Sequence, residues 1–414
     1  MENRYVPILV ALLVGGLFLS FSVYQIRTRF GGNPSGPLLI SRTRFLASPA
    51  AARADVRSRI QVIDSPGSDG QFFYFMAFDP LITEFRSTPA RYTDLLDAPA
   101  YRYGRIGFSA LTRLLSAGHP TRYPVTMVAL VVVGLGLCAG WLGAIARDYG
   151  RSPWSGALVL LVPGFWRSME GALPEPIAIA GILAACWCVR RERWWAAGCL
   201  LAASMLIRET SGGLVLALAV TVFVTGNRRP AAIVTALAFV PIVLWKVFVA
   251  WVFWGVSGAS GLVPMPDDTG VPFAGMWHAW TLLSSGAYAS GVPEMSRGAM
   301  VYPVLILAAI GLAVWAIATR RSAAAIAAVL YAALTITFNY GGVWLHLAAI
   351  ERLTIDLFVA LALVFVQLGC DARIQRAAFA AFWCATAWYV FFMTFEASQI
   401  RDSVFHNIMA AVGH

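Results

Sequence analysis

Residues 125–146 read VTMVALVVVGLGLCAGWLGAIA, without a charged side chain, and run directly into Arg147-Asp148-Tyr149-Gly150-Arg151. An uncharged apolar stretch of about 20 residues matches the roughly 30 Å hydrocarbon core of a bilayer when coiled as a helix. The pattern recurs along the chain. Further apolar runs lie at 6–24, 155–168, 174–189, 194–207, 211–225, 231–253, 301–318, 323–338, 353–369 and 377–395, giving eleven expected spans. The first is too long for a signal-peptide core and lacks a small-residue cleavage site, so it reads as a retained anchor. Several later runs are short for a straight crossing, which tilt or local thinning of the bilayer accommodates.

Alternate connections are short and rich in Arg: 147–151, Arg190-Arg191-Glu192-Arg193, Gly226-Asn227-Arg228-Arg229, Thr319-Arg320-Arg321 and Asp371-Ala372-Arg373-Ile374-Gln375-Arg376. The positive-inside rule makes that side cytoplasmic, together with the N-terminus, and leaves the C-terminus outside. Composition agrees: 59% of residues are hydrophobic and only 13% charged, so the chain reads as one integral membrane domain over 1–414, of the all-α polytopic class. Much of the net charge of +10 lies in these connections, the pattern of membrane topology signals and no nucleic-acid footprint. Lys246 is the single Lys; within a span, it either snorkels, pairs, or serves function. Six cysteines, at 138, 186, 188, 199, 370 and 384, sit in or beside apolar runs. They form no disulfide framework and no metal-ligand spacing. His278 and His346 likewise lack partners at metal spacing.

The outer side then holds a long first loop, 25–124, a second loop, 254–300, and the turns around Glu175, Arg208-Glu209-Thr210 and 339–352. Nearly every charge that is not a topology signal falls there. An unpaired charge in hydrocarbon costs roughly 2.5–3.5 kcal/mol even on lenient scales, so their gathering on one face points to a polar cavity at the outer boundary.

The first loop carries Ser68-Asp69-Gly70-Gln71-Phe72-Phe73-Tyr74. The aromatic run 72–78 suits a helix lying in the interface with Asp69 at its positive N-terminal end; a plain turn with Asp69 as helix cap fits as well. Tyr101-Arg102-Tyr103 suits either an interfacial anchor or a substrate clamp. Arg102 and Arg105, three apart, would share a helix face. Arg208 and Glu209, adjacent, would point about 100° apart on a helix, so each needs its own partner. Glu175, between Pro174 and Pro176, is aimed by a fixed backbone or merely ends a span.

Taken in order, Asp69-Gly70-Gln71-Phe72-Phe73-Tyr74, Asp79-Pro80, Tyr101-Arg102 with Arg105-Ile106, Pro174-Glu175-Pro176 and Arg208-Glu209-Thr210 resemble bacterial polytopic glycosyltransferases of the C superfamily (GT-C) that use polyprenyl-phosphate sugars. The chain departs from that pattern at Ser68, where Tyr is frequent, and at Gly107-Phe108-Ser109, where a Tyr-Pro step is common. The resemblance implies a helical bundle of about eleven spans with juxtamembrane helices in the first outer loop, set in a bacterial inner membrane. It implies a lipid-linked sugar donor and a glycan, lipid or protein acceptor. Asp69 becomes the catalytic base. Gln71, Tyr74, Asp79, Tyr101, Arg102, Arg105, Glu175, Arg208 and Glu209 become substrate-binding positions, with Arg352 a further candidate and Arg105 and Arg208 foremost for the phosphate. No cofactor is called for, although a divalent metal is compatible with the chemistry. Two other classes fit a polar cavity: a transporter or flippase (or polymerase-like protein) for lipid-linked sugars, against which the absence of inverted repeats speaks, and a non-catalytic scaffold.

Overall fold

A computed structural model describes residues 4–224, 226, 228–257, 269–285, 293–339, 341–368 and 372–394, with main chain alone at 293–299 and 341–342. The Pro264-Met265-Pro266-Asp267-Asp268 stretch of the second loop, Asn227, Cys370 and Asp371 lie outside the described residues. The fold is all-α; among the described residues the strand content named as a sheet is one two-residue parallel pair, Ile40–Ser41 beside Val62–Ile63.

Among the described residues, five helices are long and apolar enough to cross a membrane: Val6–Arg29, Pro120–Asp148, Arg228–Val252, Met300–Thr319 and Arg373–Thr394. Shorter apolar helices occupy Trp194–Ile207, Glu209–Val224, Ala323–Ile336 and Ile355–Gln367. The apolar run at 155–168 is not one helix. A 3-10 segment, Pro153–Leu161, passes through extended Val162 into a helix that begins at Pro163. Proline has no N–H to continue a ladder and is best placed in a first turn, so Pro163 starts a helix where hydropathy alone reads straight through.

The chain gathers into two compact units, Met1–Ile145 with Ser168–Pro266, and Ala146–Arg167 with Asp267–His414. In the first, the helix Trp194–Ile207 packs against Arg228–Val252 and Glu175–Arg190. The first loop folds onto this unit as a set of short helices. Its aromatic helix, Asp69–Phe78, is buried from Gly70 to Ala77, and so lies inside protein rather than aromatic side down in the interface; a helix apolar on all faces requires such burial. Its partner is the helix Gly107–Leu115: Ser109 Oγ donates to the Phe73 carbonyl at 2.9 Å, and Phe108 meets Phe73 edge-on. Gly107 is small of necessity, since a Cβ there would fall 2.7 Å from the Ile207 side chain.

In the second unit, Ala323–Ile336 packs on Ile355–Gln367, the latter buried almost end to end. Glu351, fully buried, accepts from Arg167 Nε at 2.6 Å, from the Tyr389 hydroxyl at 2.7 Å and from Thr394 Oγ1 at 3.2 Å. Tyr302 stacks on Phe358 close by in the same unit and shares a hydrogen bond with Thr354.

Candidate functional site

Asp69 is the first residue of its helix, entered from an extended Ser68. Free backbone N–H groups and the helix dipole favour a carboxylate there. Two neighbours fix the position. A Cβ on Gly70 would fall 2.6 Å from the Gly171 carbonyl oxygen, so only glycine lets the helix start approach that close. Gln71, buried, accepts from the Ser41 N–H at 3.0 Å and donates to the Pro66 carbonyl at 2.8 Å, tying the helix start to the small strand pair.

Arg102, in the helix Pro99–Tyr103, faces this end. Its Nη2 lies 3.1 Å from Asp69 Oδ1, and its Nε and Nη2 grip Asp97 at 2.9 and 2.8 Å. A guanidinium is built for such two-pronged binding. Its face covers the Phe72 ring at 4.3 Å, with Arg44 against the same ring at 5.3 Å. Arg105 lies beyond the end of the 99–103 helix and turns to another acid: its Nε sits 2.9–3.0 Å from both oxygens of Glu209, while its guanidinium covers Tyr101 at 4.0 Å. The two Arg residues therefore form no bare patch. They flank Tyr101, each matched to a carboxylate.

Arg208 leaves the helix Trp194–Ile207 in an extended conformation, buried, and Glu209 opens the next helical turn. The adjacent pair thus sits at a break between two helices, and not on one helix as the 100° step assumes. Glu209 also lines an apolar groove of about 580 Å³ walled by Met205, Phe239, Ile242, Val243, Val247, Ala250, Trp251 and Trp254, with Lys246 set into it. A continuous string of groups thus runs from Asp69 through Arg102, Tyr101, Arg105 and Glu209 to a groove on the long apolar helix Arg228–Val252.

Several residues expected against substrate are engaged inside the protein. Asp79 accepts from the Thr83 N–H and Oγ1, each at 2.8 Å, from the Glu84 N–H at 2.9 Å and from the Tyr92 hydroxyl. Burial pushes its carboxyl up, but these donors outweigh burial and hold it below the usual carboxylate range. The Asp79 carboxylate thereby holds a loop. Tyr74 is fully buried, its hydroxyl without a hydrogen-bond partner, and burial raises its pKa far above that of a free phenol. Glu175, also buried, accepts from Ser168 Oγ at 3.0 Å. Arg352 belongs to the second unit, partly exposed on the helix Leu347–Leu353.

Sequence reasoning passed over Asp97 and Arg44, and gave Phe72 a place in the aromatic run without its contact to Arg102. Asp97 lies five residues before Arg102, outside the three- and four-residue spacings that signal helical pairs. Among the described residues no cluster of three or more His, Cys, Asp or Glu is placed to hold a metal ion, and Cys138, Cys186, Cys188, Cys199 and Cys384 are free thiols. No family model, characterised protein or solved structure gives a significant match to the chain.

Proposed function

We propose that this protein is a polytopic membrane glycosyltransferase of the GT-C kind, moving a sugar from a polyprenyl-phosphate donor to an acceptor hydroxyl at the outer face of a bacterial inner membrane. The proposal includes eleven crossings, the shorter ones met by local thinning of the bilayer, a cytoplasmic N-terminus, and a first loop of juxtamembrane helices outside. What supports it is the string from Asp69 to the groove beside Lys246: a carboxylate at one end, an apolar surface at the other, and Arg102, Tyr101, Arg105 and Glu209 between them.

In this scheme the isoprenoid chain lies along the groove of Val243, Val247 and Trp254, and the donor phosphate takes Arg105 and Lys246 as cationic partners, displacing part of the Glu209 pairing. Asp69 accepts the proton of the acceptor hydroxyl as the acceptor oxygen bonds the anomeric carbon. The bond from that carbon to the phosphate oxygen breaks, and polyprenyl phosphate leaves with the electron pair, inverting the anomeric centre. A correctly placed general base contributes about 10²–10⁴-fold, and fixed guanidinium donors stabilise the charge on the departing phosphate.

The test has two arms on the full-length protein in nanodiscs. Polyprenyl phosphate binding, followed by tryptophan fluorescence, weakens in Lys246→Gln; unchanged binding removes the groove from the donor site. Sugar transfer from a panel of polyprenyl-phosphate sugars is lost in Asp69→Asn while donor binding stays. Turnover by the Asn variant at the wild-type rate would end the assignment of Asp69 as base.

A further inference from the structure

A second groove opens on the first unit, about 480 Å³, between the helix Gly107–Leu115 and the membrane helix Arg228–Val252. Its wall includes Leu81, Leu114 and Ile106 from the first loop, and Trp245 from the membrane helix. Leu81 and Leu114 are 63% and 73% exposed, which is costly for large apolar side chains in water and marks a contact with lipid or another apolar surface. Trp245 sits seven residues before Val252, about 10 Å along the helix. Its indole N–H donates to the Tyr103 carbonyl at 2.7 Å, which fixes the first loop against the span at this level.

Among the described residues the groove has one ionisable lining residue, Arg113. Its Nη1 donates to the Phe78 carbonyl at the C-terminal end of the Asp69–Phe78 helix, and among the described residues the groove lining includes no carboxylate. An exposed guanidinium at the rim of an apolar groove matches the phosphate of a lipid whose chain fills the groove. A volume of this size lies within the roughly 300–1,000 Å³ common to ligand sites.

We propose that this groove binds one anionic phospholipid of the surrounding bilayer, its phosphate on Arg113 and an acyl chain against Leu81, Leu114 and Trp245. The lipid is a resident partner and not a substrate. It braces the carbonyl end of the helix that begins at Asp69. The proposal is independent of the transferase reading, because binding needs no turnover.

The experiment is native mass spectrometry of the full-length protein taken from nanodiscs of phosphatidylcholine with phosphatidylglycerol. Wild type is expected to retain one phosphatidylglycerol in preference to phosphatidylcholine. Arg113→Gln should lower that occupancy about five-fold, the effect of one cation near an anionic headgroup, whereas Arg113→Lys keeps most of it. Leu114→Glu, at a site too exposed to govern folding, sets a carboxylate beside the phosphate and should give a similar loss. Equal retention of the two lipids by wild type, or unchanged phosphatidylglycerol occupancy in either Arg113→Gln or Leu114→Glu, overturns the proposal.

Discussion

Two ion-paired clusters use the same chemistry at different depths. In the first unit, Arg102 and Asp69 are 12% and 31% exposed at the side chain, and Arg105 and Glu209 are comparably open. In the second, Arg167 and Glu351 are 7% and 0% exposed, and both oxygens of Glu351 are filled by Arg167, Tyr389 and Thr394. The closed cluster has spent its hydrogen-bonding capacity on its own helices. In the open one, solvent or substrate can compete for a guanidinium at modest cost. A charge is a candidate for chemistry when its partner can be exchanged, and exposure more than pairing separates the two clusters.

The largest expected effect breaks the open cluster. Asp69→Asn keeps the side-chain shape but removes the proposed base, and on that proposal should cost about 10²–10⁴ in transfer rate with little change in melting temperature. The closed cluster should respond the other way. Glu351→Gln removes the negative charge that the buried Arg167 guanidinium faces at 2.6 Å and should destabilise the protein by about 3–5 kcal/mol. The double replacement Arg167→Met with Glu351→Leu should recover much of that loss. Thermal unfolding in detergent reads both variants, and a double variant as unstable as the single one would show that the pair does more than neutralise itself.

A smaller effect falls on the loop held by Asp79. Asp79→Asn removes a carboxylate that serves four donors, a loss of about 1–3 kcal/mol. The carboxyl is held below its ordinary value in the folded protein, so its stabilisation is complete above the unfolded value of about 4 and fades as pH falls through the lower folded one. The difference in melting temperature between wild type and Asp79→Asn should therefore stay constant from pH 7 to about pH 5 and shrink below about pH 4. A gap that widened on acidification would contradict this sign. The smallest expected effect is Ser109→Ala, which deletes one hydrogen bond between two loop helices and should cost about 1 kcal/mol without altering transfer.

How much of this was readable in the chain differs between fold and site. Apolar length is a one-dimensional property, and the long runs at 6–24, 125–146 and 231–253 each correspond to a helix long enough to cross a bilayer. The start of a helix at Asp69 was readable too, because an acid before an unbroken aromatic run marks an N-terminus. The break at Pro163 lay within reach of the proline rule but is hidden by the hydropathy on either side. The site itself was only partly readable. Asp69, Arg102, Arg105 and Glu209 stand out as charges in an apolar chain, but nothing local says that Arg105 would reach across 104 positions to Glu209, or that Asp97 and Asp69 would share one guanidinium.

By itself, then, the sequence determined which segments are apolar enough for a membrane, where charge is tolerated, and where the aromatic helix of the first loop begins, since each depends on the free energy of transferring individual side chains. Only the tertiary structure decided which charges meet. Asp79, Glu175 and Glu351 are as conspicuous in the chain as Asp69. Asp79 and Glu175 are taken up by donors from nearby turns, Glu351 by Arg167, Tyr389 and Thr394 from distant segments, and it is this packing that seals Glu351 while Asp69 stays partly open.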